Sequence, residues 1–463
     1  MWGVSWVLAL SSLPLWCAPV PPPADWVPAR WPWGDAQSLD LLSGGPVNCL
    51  LLKRYTADFV AAATARGVAT LAILTPGSDV ADSARHALAA KVTGVALEGE
   101  FPESLLAAVR ESAGGAPVIE IAPRSRLLHE PGALVLATDE AMWPGISQPE
   151  GGVARAGPTS SAWIDTNTGF IRALRAWSEV PLWIANEPPL KTAITAARYL
   201  QAIADAGISG ARWVLSPDSD FAARLARRET AAVSDWRRML ALSAYFERHP
   251  EWLRMQEYGK LALVQDPAKG GLLSGGILDM IAVGHTPVRP IPPQRLTPEA
   301  LKDASMAVNL DADALTPEEK DILRQFARAG GTLLSSPPGW KDQPPRPGRI
   351  TLEKAELERL NDVWRDVNSM VGRKNLGVRL FNASSLLSNL LVSADGKTAV
   401  LHLANYSDYP VENVTVHFTD AYKRATWIDP EGTKKALEIY KTDEGWGADI
   451  DRVAACASII LER

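Results

Sequence analysis

The sequence lacks the features that mark several classes of protein. It has only three cysteines and six histidines, without the paired spacing of metal ligands, so we expect neither a disulfide framework nor a metal site, and no cofactor. Its net charge is −6 and it has no run of Lys or Arg, so we expect no nucleic-acid partner. What is present, 47% hydrophobic and 22% charged residues, is typical of a soluble globular chain.

The first 24 residues carry no charged side chain. Apolar residues dominate from Trp2 to Trp16, and the prolines that follow stop any helix, so this stretch is too short to span a membrane. It predicts a signal peptide over residues 1–24 and a secreted or periplasmic protein, with no stable membrane span after signal removal. Lipidation at Cys17 stays open, although Trp16 is bulkier than the small residue of a lipoprotein signal.

Short apolar runs alternate with helical stretches from residue 47 to about residue 247. The runs are continuous rather than alternating, as in strands that are buried on both faces. The predicted strands cover residues 47–52, 70–74, 94–97, 117–121, 133–137, 162–164, 182–185 and 212–215. Eight strands with helices between them predict an α/β fold, a (β/α)₈ (TIM-like) barrel over residues 25–257, irregular where residues 138–161 form a Pro/Gly loop. The alternative is a seven-stranded or open sheet.

Two smaller units are predicted to follow the barrel. Residues 305–335 form a strand, a helix capped by Thr316 and Pro317, a Gly-Gly turn and a second strand, which indicates a doubly wound α/β domain over residues 258–372. Alternating patterns separated by turns predict a small antiparallel β-sandwich over residues 373–463. No cysteine lies between residues 50 and 455, so the middle domain has no thiol nucleophile. We therefore expect this domain to act as a scaffold or to form subunit contacts.

Residues 311–335 resemble the amidotransferase-like middle domain of bacterial glycosidases, especially family 42 β-galactosidases, which have the same order of barrel, middle domain and sandwich. Asn186-Glu187-Pro188 resembles the Asn-Glu-Pro of many retaining glycosidase barrels, where the glutamate is the acid/base and the asparagine contacts the 2-hydroxyl of the sugar. In that family the motif ends strand four and the nucleophile ends strand seven, whereas here the motif follows predicted strand seven. The chain also resembles uncharacterised bacterial glycosidase-like proteins. The resemblance implies a carbohydrate substrate and a homo-oligomer formed through the middle domain.

Acidic side chains follow most of the predicted strands, at the end of the barrel where active sites lie. Glycoside cleavage needs one carboxyl group that protonates the leaving oxygen and another that attacks the anomeric carbon or activates water. We therefore predict Glu187, with Asp165 or Glu98, as the catalytic pair. The predicted substrate contacts are Asn186, Asn167, Asp139, Trp143, Glu100 and Asp218, with Trp143 as a stacking platform for a sugar ring. Acidic residues after strands can instead cap helices, and Asp165 is the clearest example.

These patterns predict an exported glycoside hydrolase that cleaves oligo- or polysaccharides with two carboxyl groups. The alternative is a catalytically inactive carbohydrate-binding or scaffold protein of the cell envelope. The enzyme hypothesis requires that Glu187 and a second acidic side chain meet in a pocket that is open to water.

Overall fold

The computed structural model describes residues 19–127, 132–143, 146–147, 154–156, 166–266, 278, 285–335, 362 and 365–463. Eight parallel strands form one sheet, and they are paired in chain order. They are β1 (Pro28–Arg30), β2 (Cys49–Leu52), β3 (Ala69–Leu74), β4 (Gly94–Glu98), β5 (Val118–Ile121), β6 (Leu136–Thr138), β9 (Leu182–Ile184) and β11 (Arg212–Trp213). A parallel bridge between Ala29 and Leu215 returns the last strand to the first, so the sheet is a nearly closed barrel.

The predicted barrel fold is confirmed, but the strands are numbered differently from the prediction. Pro28–Arg30 is the first strand, and the sequence did not predict it because it has only three residues, including a proline and an arginine. The strand predicted at residues 94–97 is therefore the fourth of the barrel. The strand predicted at 162–164 lies outside the described residues, so the strand before Glu187 is still the seventh.

Helices cover the outside of the barrel. They are α1 (Ala57–Ala65), α2 (Val80–Ala89), α3 (Glu103–Ala113), α4 (Thr168–Trp177), α5 (Ala196–Ile208), α6 (Ser219–Ala226) and α7 (Thr230–Glu247). Gly114 ends α3 in a left-handed conformation, as its position predicts. Gly207 also precedes a barrel strand, a position that favours a helix cap, but it lies within α5, where a Cβ atom would be 2.3 Å from Phe246. Strands β7 (Ile146–Ser147), β8 (Ala154–Ala156) and β10 (Thr192–Ile194) form a small separate sheet.

A four-stranded parallel sheet follows the barrel. Its strands are β13 (Leu261–Val264), β14 (Val288–Ile291), β15 (Met306–Asn309) and β16 (Thr332–Ser335), and α8 (Pro317–Arg328) connects the last two. The order of the strands in the sheet is β14-β13-β15-β16. The N-terminus of α8 has a reciprocal capping box between Thr316 and Glu319. The strand–helix–strand unit predicted from the sequence is therefore present.

Two antiparallel sheets form the C-terminal sandwich. The strands are β12 (Gln256–Glu257), β17 (Val378–Phe381), β18 (Leu386–Val392), β19 (Thr398–Asn405), β20 (Val411–Phe418), β21 (Arg424–Ile428), β22 (Lys434–Leu437), β23 (Tyr440–Thr442), β24 (Gly445–Val453) and β25 (Cys456–Glu462). One sheet has the order β12-β18-β19-β25-β21-β22 and the other has the order β17-β20-β24-β23. Strand β12 comes before the parallel sheet in the chain, yet it pairs with β18. The next residue, Tyr258, lies against Gly377, where a Cβ atom would be 2.9 Å from the Tyr258 ring.

Arg172 joins all three parts of the molecule. It lies on α4 and is 2% exposed. Its Nε and Nη2 atoms donate to the two carboxylate oxygens of Glu257 on β12, at 3.0 and 2.7 Å, and Nη2 also donates to the Val288 carbonyl oxygen of β14 at 2.6 Å. Apolar residues of the barrel and of the sandwich, such as Leu387 and Tyr406, belong to one continuous core. Among the described residues, no helix is long and apolar enough to cross a membrane.

Two buried histidines make the stability of the protein dependent on pH. Burial lowers the pKa of His285 to about 4, and burial together with the charge of His249 lowers the pKa of His402 to about 3. His402 Nδ1 lies 2.7 Å from Ser458 Oγ, and His285 Nδ1 lies 3.2 Å from Ser388 Oγ. Both histidines therefore stay neutral in the folded protein at a pH where the unfolded chain binds protons.

We expect the free energy of unfolding to fall as the pH is lowered from about 6.5 to about 4. Because the folded pKa values lie below the unfolded value, each histidine costs about 2 kcal/mol at pH 5 relative to neutral pH. Urea unfolding at pH 7 and pH 5 measures this difference, and His402→Gln should reduce it by about 2 kcal/mol. His86→Gln, at an exposed position on α2, is the control. An unchanged difference in the His402 variant would contradict this assignment.

Candidate active site

Two glutamates from separate strands meet at one guanidinium group in the mouth of the barrel. Arg30, the last residue of β1, places Nη2 2.5 Å from Glu98 Oε1 and Nη1 3.0 Å from Glu187 Oε1. Its Nη2 also donates to the Ala185 carbonyl oxygen at 2.8 Å, which fixes the guanidinium against the seventh strand. Glu98 ends the fourth strand and Glu187 follows the seventh. The barrel thus brings together two of the three predicted catalytic residues.

Lys53 provides a second positive charge beside the two glutamates. Its Nζ atom lies 2.6 Å from Glu187 Oε1 and 4.0 Å from Glu98 Oε2, so these two oxygens are no farther apart than the sum of the two distances. The largest possible separation of the two oxygens is therefore close to the shortest distance found in inverting carboxyl pairs, which are about 6.5–9.5 Å apart. A separation of about 5–5.5 Å, as in retaining pairs, is also within this bound. The Glu187 side chain is 42% exposed, so its ion pairs form at the open mouth and not beneath the surface.

Asp139 adds a third carboxyl group with a different protonation behaviour. It directly follows the sixth strand. Asp139 is exposed at the surface, but the protein around it displaces part of its water, and this partial desolvation raises the pKa of Asp139. Its own backbone N–H lowers this pKa, and the charges of Glu98 and Glu140 raise it further. Arg30 has a smaller, opposite effect on this pKa. The mouth therefore combines two carboxylates paired with cations and one carboxyl group that holds its proton to a higher pH than usual.

Asparagine side chains hold the loop that carries Asp139, which covers residues 139–143. Asn186 accepts from the Ala141 N–H at 3.2 Å and donates to the Ala141 carbonyl oxygen at 2.5 Å. Asn167 makes the same pair of bonds to Met142, at 2.7 and 3.0 Å. Each amide thus satisfies both backbone groups of one loop residue, as a neighbouring strand would. Both asparagines were predicted as substrate contacts, and in this structure both are buried and position the loop.

Trp143 belongs to the same arrangement. It is 7% exposed, and it packs edge to face with Tyr199 and Trp213. Its indole N–H donates to the Glu187 carbonyl oxygen at 2.9 Å. The ring therefore ties the loop 139–143 to the backbone of Glu187. Its stacking on a sugar ring stays a prediction.

The other predicted site residues lie in different surroundings. Asp218 caps α6 through the N–H groups of Asp220 and Phe221, and its second oxygen accepts from Tyr199 Oη at 2.9 Å. Glu100 is exposed, two residues beyond Glu98. Asp165 lies outside the described residues. Asp218 therefore has the capping role that acidic residues after strands often have.

A cavity of about 270 Å³ opens beside Glu187 and Arg30, and Glu98 is not among its lining residues. Its charged lining comprises Arg30, Lys53, Glu187, Lys191 and Asp218, and its apolar lining includes Trp31 and Leu51. Thr192 also lines it, with a buried hydroxyl group that has no hydrogen-bond partner. Within the described part of the chain, no three His, Cys, Asp or Glu side chains cluster as metal ligands would. The charged groups described at this mouth are carboxyl groups and the cations of Arg30, Lys53 and Lys191.

The sequence did not identify Arg30, which organises the site. Arg30 ends the strand that was not predicted, so it was not counted among the polar residues at strand ends. The signal that could have identified it is the apolar segment from Trp26 to Ala29, which is followed directly by the charged Arg30. Since barrel sites lie at the carboxyl ends of strands, this pattern indicates a functional arginine.

Two solved structures of glycosidases are similar to this chain in fold. No family model matches the sequence, and no curated protein matches it. The α-L-fucosidase isoenzyme 2 from Paenibacillus thiaminolyticus is similar with a TM-score of 0.61 and 11% identity, over 93% of this chain and 96% of that chain. A β-galactosidase from Rahnella sp. R3 is similar with a TM-score of 0.50 and 8% identity, over 96% of this chain and 100% of that chain. The chain therefore has a glycosidase-like (β/α)₈ barrel fold.

Proposed function

We propose that this chain is a glycoside hydrolase that cleaves oligo- or polysaccharides outside the cytoplasm. The observation that supports this most directly is the bridge of Arg30 between Glu98 and Glu187, from the fourth and seventh strands, beside an open cavity. The apolar segment at residues 1–24 supports export. Fold alone does not determine chemistry, so the proposal depends on these side chains.

In the proposed mechanism, Glu187 is the nucleophile. Arg30 and Lys53 lie within 3.0 Å of its carboxylate and stabilise its negative charge. The seventh strand is also where the glycosidases that this chain resembles have their nucleophile. Glu187 would attack the anomeric carbon as the bond to the leaving oxygen breaks, forming a glycosyl ester. Water would then hydrolyse this ester and release the sugar.

Glu98 and Asp139 are proposed to supply the proton that the leaving oxygen needs. Glu98 ends the fourth strand, where the same glycosidases have their acid/base. Its charge helps to raise the pKa of Asp139, so Asp139 retains its proton to a higher pH than an isolated carboxyl group does. After the ester forms, the same pair would take a proton from the attacking water.

A library of oligosaccharides and nitrophenyl glycosides tests the proposal. The unaltered protein should release sugar from at least one member, and Glu98→Gln and Asp139→Asn should each lower kcat by about 10²-fold or more on substrates with poor leaving groups. Nitrophenyl substrates, whose leaving group needs little protonation, should be affected less. Glu103→Gln, at an exposed position in the first turn of α3, should leave turnover unchanged.

The pH profile gives a second measurement on the same variants. Because the charge of Glu98 raises the pKa of Asp139, Glu98→Gln should shift the basic limb of kcat/KM to lower pH. Turnover of no library member would argue against the enzyme. Glycan binding without turnover would instead favour a carbohydrate-binding protein.

A further inference from the structure

The loop 139–143 is held by residues that lie far from the mouth of the barrel. Asp205, on α5, is fully buried, and its carboxylate accepts from the Asn167 N–H and from Asn167 Nδ2, both at 3.0 Å. The hydroxyl groups of Thr166 and Tyr406 also donate to Asp205. Tyr406 follows the last residue of β19, so one of these donors comes from the C-terminal sandwich.

Asp205 determines how the Asn167 amide can be oriented. The Nδ2 group of Asn167 donates both to Asp205 and to the Met142 carbonyl oxygen, which leaves Oδ1 to accept from the Met142 N–H. If the amide turned over, both hydrogen bonds that Nδ2 donates, to Asp205 and to the Met142 carbonyl oxygen, would be lost. The hydrogen bond that the Asp205 carboxyl oxygen accepts therefore keeps the Asn167 amide in the one orientation that binds both backbone groups of Met142.

Met142 lies between the two points where this loop meets the proposed catalytic groups. Asp139 lies three residues before it, and Trp143, directly after it, donates to the Glu187 carbonyl oxygen at 2.9 Å. A continuous path of hydrogen bonds and backbone thus leads from Tyr406 through Asp205 and Asn167 to Asp139 and Glu187. All of its connecting side chains are buried, so water does not replace these bonds cheaply.

We propose that Asp205 and Tyr406 are positioning residues for the mouth of the barrel, and that the C-terminal sandwich thereby takes part in forming the site. The expected effect on turnover rests on the proposed function, whereas the expected effect on the loop does not. Removal of the Tyr406 hydroxyl group leaves the buried Asp205 carboxylate with one donor fewer, which weakens its hold on Asn167. Loop 139–143 should then open more often.

Hydrogen exchange of the peptide that covers residues 139–143 tests the proposal in the full-length protein. Tyr406→Phe should raise its exchange rate by about tenfold and lower kcat more than it changes KM. Asp205→Asn, which keeps the size of the side chain, should give a larger increase. Tyr245→Phe is the matched control, because Tyr245 is equally buried and donates to Ser458 of the sandwich at 2.6 Å without touching Asn167.

The control separates positioning from a general loss of stability. Tyr245→Phe should leave exchange at residues 139–143 unchanged while it removes a comparable contact between barrel and sandwich. Unchanged exchange in Tyr406→Phe, or equal acceleration in both variants, would overturn the proposal. Faster exchange in Tyr406→Phe alone, in a protein that hydrolyses no glycoside, would support the positioning role and contradict the proposed function.

Discussion

Replacement of Glu187 by alanine is expected to lower glycoside turnover by about 10⁴–10⁶-fold, as the loss of a catalytic nucleophile does in other enzymes. The variant has no carboxylate to attack the anomeric carbon, while Arg30 and Lys53 remain beside the empty position. Azide, a small anion, should bind there and attack in place of the glutamate. We therefore expect azide to restore turnover of a nitrophenyl glycoside and to give a glycosyl azide of inverted configuration.

Two further variants make this result specific to the nucleophile. Glu187→Gln fills the position, so it should be inactive and should gain little from azide. Glu98→Gln keeps the nucleophile, so any product formed with azide should have the configuration of the substrate. Normal turnover by Glu187→Ala, or a glycosyl azide of retained configuration from it, would remove Glu187 from the mechanism.

Replacement of Arg172 by methionine is expected to lower the free energy of unfolding by about 3–5 kcal/mol. The substitution leaves the carboxylate of Glu257 without its bidentate partner and the Val288 carbonyl oxygen without a donor. Asn389 would still donate to Glu257 at 3.2 Å, but it carries no charge. Urea unfolding at neutral pH, compared with that of the unaltered protein, measures the loss.

The double variant Arg172→Met with Glu257→Met tests whether the unpaired charge causes this loss. Removal of both charges should restore part of the stability that the single variant loses, because the partly buried carboxylate of Glu257 is no longer left without its partner. If the double variant has a lower free energy of unfolding than Arg172→Met, the unpaired charge of Glu257 is not the cause of the loss of stability. Arg66→Met, whose exposed pair with Asp40 spans 3.0 Å, should change stability by about 1 kcal/mol or less.

The barrel was predictable because its strands are continuous apolar runs that are buried on both faces. Cys49–Leu52 and Gly94–Glu98 lie where such runs occur in the sequence. The first strand was not predictable in this way, since Pro28–Arg30 has one apolar residue between a proline and an arginine. Its strand conformation is set by pairing with β2 and by the bridge to Leu215, which are contacts between distant parts of the chain.

Glu187 was predicted to pair with Asp165 or Glu98, because parallel strands end at the same edge of a barrel, and the structure places Glu98 beside it. Which residues bind substrate and which position the loop could not be read from the sequence. Asn167 and Asn186 are polar residues after strands, as ligand-binding residues often are, yet here their amides bind backbone groups. That distinction depends on Asp205 and Met142, which lie far from each other in the chain and meet only in the folded protein.

The parallel sheet is connected to the rest of the molecule as an inserted domain is, and the contact between Tyr258 and Gly377 marks the point where the chain leaves and returns. The chain leaves the sandwich sheet after β12 and returns beside the same point, so the ends of the intervening segment adjoin each other. Insertions of this kind disturb their host least, because a short connection can replace them. Excision of the segment with a brief Gly/Ser bridge should therefore leave barrel and sandwich joined, with the glutamates of the mouth intact. Over evolutionary time, such a segment could be exchanged as a module while the chemistry of the barrel stayed the same.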